Sequence, residues 1–119
     1  MIETAATFSA GTCNCGLFLR ADGSFDNYYE VRLEPANQRM VIDRWPRAGD
    51  QAFMLERPVA MKPEHPVTLR IIVDSTCLVV YANDEIALSC RMYDHQQGSV
   101  GLFVTEGDAA FRGMSVKSR

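Results

Sequence analysis

The sequence lacks the features that announce several large classes of function. Lys and Arg total 12 against 15 Asp and Glu, a formal net charge of -3 with no basic run. That balance argues against nucleic acid or an anionic membrane as a partner. No apolar stretch approaches the roughly 18 residues that span a bilayer. The start, Met1-Ile2-Glu3-Thr4, lacks the basic and apolar segments of a signal peptide. With only four cysteines, the chain as written favours the cytoplasm over export. Cys13-x-Cys15 is not a zinc spacing, and neither His65 nor His95 has a cysteine close by. No metal or cofactor is therefore expected. A helical stripe is also missing, and there is one tryptophan, Trp45.

What is present is a period of two. Leu17 and Leu19 share one face, Tyr29, Val31 and Leu33 alternate with charges, and Val67, Leu69, Ile71 and Val73 line up likewise. Successive side chains of a strand point to opposite faces, so this alternation predicts half-buried strands. They are expected near Ile2–Phe8, Asn14–Arg20, Tyr28–Glu34, Arg39–Arg44, Val67–Asp74, Cys77–Asn83, Glu85–Met92, Ser99–Glu106 and Ala110–Val116. A short extra strand is expected at Phe53–Arg57. Turn residues separate them, at Ala21–Ser24, Glu34–Asn37, Asp74-Ser75, Asn83-Asp84, Gln97-Gly98 and Glu106–Asp108. Arg44–Pro66 holds four of the five prolines and reads as an elaborated loop.

Nine or ten short strands with spaced turns imply one all-β domain over residues 1–119, a two-sheet antiparallel sandwich of the concanavalin-like or jelly-roll kind. Its inner faces would carry Leu17, Leu19, Val31, Leu33, Ile42, Leu69, Ile71, Val73, Leu78, Val80, Leu88, Leu102 and Val104. A hairpin turning at Asn83-Asp84 would place Cys77 opposite Cys90. Opposed residues lie near disulfide range, and the alternative is two thiols packed as small apolar groups.

Several segments taken together look familiar. They are Gly16–Arg20, Tyr28–Pro35, Val41–Pro46, Phe53–Pro58, Leu69–Asp74 and Val79–Asp84, with the hairpin from Arg70 through Asp84 and Ala87–Tyr93 the most specific. In that order they resemble the C-terminal β-sandwich domain of family 32 glycoside hydrolases, the invertases, levanases and inulinases. The resemblance covers nearly the whole chain. It implies an accessory domain that packs against a catalytic five-bladed propeller, related to modules that hold terminal fructose of fructans. The family's catalytic motifs, Trp/Met-Asn-Asp-Pro, Arg-Asp-Pro and Glu-Cys, do not occur here. The hydrolase activity is therefore not carried over to this chain.

The residues themselves offer no better case for catalysis. Fifteen acids make some close carboxylate pair inevitable, and both histidines sit in loops, away from a convergent pocket. Sugar binding needs an aromatic face for C–H surfaces and planar charged groups for paired hydroxyls. Trp45, flanked by Arg44 and Arg47, suits that need, with a cap on the core as its other reading. The arginines could fork onto vicinal hydroxyls or form surface ion pairs. Tyr28 has the parity opposite to Val31 and Leu33, so it should face outward, close to the acidic turn holding Asp22, Asp26 and Asn27. Glu56 and Arg57 either pin the long loop as an ion pair or join Arg44 and Trp45. The expected ligand-binding set is thus Arg44, Trp45, Tyr28, Asp26, Glu56 and Arg57, with a fructose-containing sugar as ligand. The alternative is a structural sandwich that packs on the catalytic propeller through Met40, Met54, Met61, Met92, Met114, Phe53 and Phe111, which could equally fill the core.

Overall fold

Ten strands form in the computed structural model, which describes residues 1–22, 27–45, 54–92 and 98–117. In chain order they are β1 (Ile2–Phe8), β2 (Asn14–Ala21), β3 (Tyr28–Glu34), β4 (Arg39–Trp45), β5 (Met54–Pro58), β6 (Val67–Asp74), β7 (Cys77–Ala82), β8 (Ile86–Arg91), β9 (Ser99–Thr105) and β10 (Ala109–Val116). Two antiparallel five-stranded sheets result, in the orders β10-β1-β6-β7-β8 and β5-β4-β3-β2-β9. The period of two in the sequence becomes two facing apolar layers. One contributes Leu17, Leu19, Tyr29, Val31, Leu33, Met40 and Ile42, and the other Ile2, Phe8, Leu69, Ile71, Leu78 and Val80, all buried in a single core. Burial of such side chains contributes about 1.5–3 kcal/mol each, and the entropy of ordering the chain offsets most of it.

Tyr28 and Tyr29 divide as their parity predicts: Tyr29 is buried and Tyr28 is on the outer face. Met40, Met61 and Met92 fill the core, whereas Met114 is exposed. Residues 46–53, Phe53 and Arg47 among them, lie outside the described residues.

Three expectations change. Leu102 and Val104 pair with Leu17 and Cys15 on the core-facing side, yet they are 47% and 43% exposed. The reason is topological, because β9 is the last strand of its sheet and nothing flanks it on the far side among the described residues. Val73 and Leu88 are half-buried and pack against the core from outside it.

The third change is the late hairpin. Ala82 pairs with Ile86, leaving Asn83, Asp84 and Glu85 as a three-residue loop. Asn83 and Asp84 both take left-handed backbone, with φ of 54°. The Asn83 carboxamide oxygen accepts from the Thr68 amide at 3.0 Å and fixes the loop to β6. One residue more in the loop slips the register by one and turns the thiols to opposite faces. Leu78 now faces Cys90, and Cys77 faces Arg91. Both cysteines are free. Cys90 packs against the core, and burial pushes its thiol up to about 11.

Gly16 is required by the close approach of β2 to β3. A Cβ there would lie 1.9 Å from the Val31 carbonyl oxygen, a backbone atom that cannot move aside cheaply. Gly16→Ala is expected to destabilise the protein by about 1–3 kcal/mol, measured as a lower urea midpoint. An unchanged midpoint would show that the two strands can separate freely.

Candidate functional site

The outer face of the β5-β4-β3-β2-β9 sheet concentrates charge and aromatic rings. Along β3 the outward row runs Tyr28, Glu30, Arg32, Glu34. Strand register sets Trp45, Asp43, Val41 and Arg39 of β4 directly opposite these four. Glu56 of β5 lies opposite Val41 on the same face. From the other side β2 brings Phe18 opposite Glu30, and Gly16 opposite Arg32. Strand β9 adds Phe103 opposite Gly16, and Gly101 opposite Phe18. The two glycines contribute no side chain that would cover Arg32 or Phe18.

Arg32 is the hub. Its Nη1 donates to Glu30 Oε2 at 3.0 Å and lies 3.4 Å from Asp43 Oδ2, while its Nε donates to Glu34 Oε2 at 2.6 Å. The Arg32 side chain is only 14% exposed, so removing a partner from these contacts costs more than it would in a surface ion pair. Glu34 collects further donors: Arg39 Nε at 2.5 Å and Asn37 Nδ2 at 2.9 Å. Arg39 in turn reaches Glu56.

The two β3 glutamates are pushed in opposite directions. Burial raises Glu34, but hydrogen bonds from Arg39, Asn37 and Arg32 outweigh it and bring the carboxyl down to about 2. Burial also raises Glu30, and there the attraction of Arg32 does not cancel it, while Asp43 and Glu34 add to it. Glu30 accepts one hydrogen bond among the described residues, from Arg32. An ionised carboxylate offers about four acceptor positions, so Glu30 keeps capacity for donors from outside the protein. Asp43 Oδ1 accepts from the Arg44 amide at 2.8 Å, and its Oδ2 faces Arg32.

Aromatic rings border this polar patch. Phe18 packs between Tyr28, at 4.6 Å between centroids and 54° between planes, and Phe103, at 4.7 Å and 20°. Trp45 is half-exposed beside Tyr28. The arrangement offers hydroxyl acceptors and a guanidinium next to apolar ring surface, which is what a neutral polyol requires.

Of the residues expected from sequence, the fold brings Tyr28, Trp45 and Glu56 onto this one face. Arg44 pairs with Tyr29 and Arg57 with Met40, both core-directed residues, so the fold does not bring either arginine onto this face. Asp26 lies outside the described residues. Sequence reasoning passed over Glu30, Arg32, Glu34, Asp43 and Phe18. A signal existed: Tyr28-x-Glu30-x-Arg32-x-Glu34 places an arginine between two acids on one face of a strand. No group of three or more His, Cys, Asp or Glu among the described residues is placed to hold a metal ion.

Residues 1–118 match the family model for glycosyl hydrolases family 32, C terminal. The chain belongs to this family of C-terminal domains. In family 32 enzymes this sandwich is separate from the catalytic propeller, and the chain is non-catalytic. Among solved structures, the carbohydrate binding module CBM66 from Bacillus subtilis is similar with a TM-score of 0.82 and 16% identity, covering 95% of this chain and 71% of that one. The exo-inulinase from Aspergillus awamori gives 0.70 and 21%, covering 91% of this chain and 23% of the enzyme. The fructosyltransferase from A. japonicus gives 0.75 and 18%, covering 95% and 21%. The chain thus spans between a fifth and a quarter of those enzymes. At these identities the likeness establishes the sandwich fold. No curated protein matches the chain.

Proposed function

We propose that this family 32 C-terminal domain is an accessory carbohydrate-binding domain that holds a fructose-containing sugar or fructan on the outer face of the β5-β4-β3-β2-β9 sheet, alongside a catalytic propeller. The observation that carries the reading is the pair Glu30 and Asp43. They are two low-exposure carboxylates directly opposed on neighbouring strands, drawn to one guanidinium, with Tyr28, Phe18 and Trp45 beside them. Glu30 and Asp43 would accept from sugar hydroxyls, Arg32 would orient them, and Tyr28 and Trp45 would cover the apolar edge of the ring. The resemblance to a carbohydrate binding module and to enzymes named for inulin and fructosyl transfer supports the ligand class. Arg44 and Arg57 belong at most to the rim of this site.

Calorimetric titration with fructose, levan, inulin and sucrose tests the proposal. Binding of at least one is expected, with Glu30→Gln and Trp45→Ala each weakening it about tenfold or more while the fold is retained. Burial already disfavours the Glu30 charge, so the Gln variant should fold at least as well as the parent. Because burial raises Glu30, its acceptor role is lost as pH falls through that raised value. Affinity should therefore begin to decline above the usual carboxylate range. Heat from none of the four sugars at millimolar concentration would remove the sugar-binding reading.

A further inference from the structure

The two sheets end differently on their two sides. On one side β5 approaches β8 and closes the sandwich. On the other, β9 and β10 leave the turn Glu106–Asp108 as the terminal strands of different sheets. Six of the seven large apolar side chains exposed among the described residues come from β9, β10 or the adjoining Met1: Met1, Val100, Leu102, Val104, Met114 and Val116. A shallow depression lined by Met1, Leu19, Val100 and Val116 joins the two layers.

Edge strands of proteins that stay monomeric are usually blunted by a charge, a proline, a bulge or a short length. Strand β10 is blunted: β1 advances two residues, Glu3 to Ala5, where β10 advances three, Ser115 to Arg112, a bulge next to Gly113 with φ of +60°. Strand β9 has none of these devices. It is seven residues long, Ser99–Thr105, without charge or proline, and the irregularity in its pairing falls on β2, between Phe18 and Ala21.

The sequence of β9 also complements itself. Antiparallel pairing of two copies centred on Leu102 sets Leu102 against Leu102, Val100 against Val104, Gly101 against Phe103 and Ser99 against Thr105. Every pair is of a favourable cross-strand kind, including an aromatic ring lying over a glycine. No charge meets its own image, which is the usual penalty at a two-fold interface. Seven residues span about 24 Å. Across two layers roughly 20 Å thick, that edge presents roughly 500 Å² per copy, or about 1,000 Å² in all, the lower bound for a specific interface.

We propose that β9 is the interface with a second copy of this chain, joining two β5-β4-β3-β2-β9 sheets into one ten-stranded sheet with both outer faces on the same side. An interface of this size gives a concentration-dependent dimer. Sedimentation velocity should shift from monomer to dimer between about 1 and 100 µM, and Leu102→Lys should raise the dissociation constant at least tenfold. A folding defect in that variant would mimic weaker association, so the register is tested separately in a Cys13→Ser background. Leu102→Cys should form an intermolecular disulfide on mild oxidation, since directly opposed Cβ atoms are near bridging distance. Val104→Cys alone should not, and Val100→Cys with Val104→Cys should. A chain that stays monomeric over this range, or that crosslinks as fast through Val104→Cys as through Leu102→Cys, overturns the proposal and leaves the strip to a partner of different sequence.

Discussion

Replacing Arg32 with alanine is expected to lower stability by about 3–5 kcal/mol and to abolish sugar binding. The loss exceeds that of an ordinary surface arginine because of what is left behind. Glu30, Glu34 and Asp43 all converge on this guanidinium, and the side chains of Glu34 and Asp43 are 7% and 6% exposed. Without Arg32, three carboxylates share a face with little water and one fewer cation. Removing one partner of such a cluster is far costlier than never having built it. Thermal unfolding should show a midpoint lowered by roughly 10–20 °C. Lysine should rescue only part of the loss, because a single ammonium cannot reproduce the fork that reaches Glu30 and Glu34 through different nitrogens. A loss below about 1 kcal/mol would show that the three carboxylates are well solvated, and would undercut the Glu30 and Asp43 argument with it.

Glu34 should make stability depend on pH in a defined window. Its carboxyl sits at about 2 in the folded protein, against 4.5 ordinarily. A depressed carboxylate contributes stability above its unfolded value and loses it as pH falls through the folded one. The contribution is therefore full above about pH 5, falls between there and pH 2, and amounts to about 3 kcal/mol. Glu34→Gln should be less stable than the parent by about that amount at neutral pH and nearly equal to it at pH 2. Urea midpoints of both proteins across this range measure the convergence. Parallel curves would mean that Arg39, Asn37 and Arg32 do not hold the ionised form.

These two residues also show where reading the sequence succeeded and where it stopped. Alternation marked Tyr28, Glu30, Arg32 and Glu34 as one face of a strand and Tyr29, Val31 and Leu33 as the other, and that division holds. It does so because a strand has only two faces and the apolar one must be covered. Nothing in β3 alone says that Asp43 will lie opposite Glu30. That depends on the turn between β3 and β4, where the 3-10 turn Pro35–Asn37 and left-handed Gln38 set the register. The late hairpin shows the same sensitivity: one additional loop residue moved Cys77 from Cys90 to Arg91. Trp45 drew attention as the sole tryptophan, and its flanking arginines drew it too. Parity along β4 places Trp45 with Asp43 and Arg44 with buried Ile42, so proximity in sequence overstated what those neighbours share.

The all-β class, the positions of the strands, the division of each into two faces and the kinship with family 32 C-terminal domains were all legible in the order of residues. Each rests on local periodicity or on a contiguous run of side chains, and neither needs a distant partner. Only the assembled sandwich decided that Arg32 gathers three carboxylates, that the Glu30 carboxyl is shifted up and the Glu34 carboxyl down, and that Leu102 and Val104 end at an open edge. Those properties come from which strands become neighbours and which become last, and strand order is a matter of contacts between residues far apart in the chain.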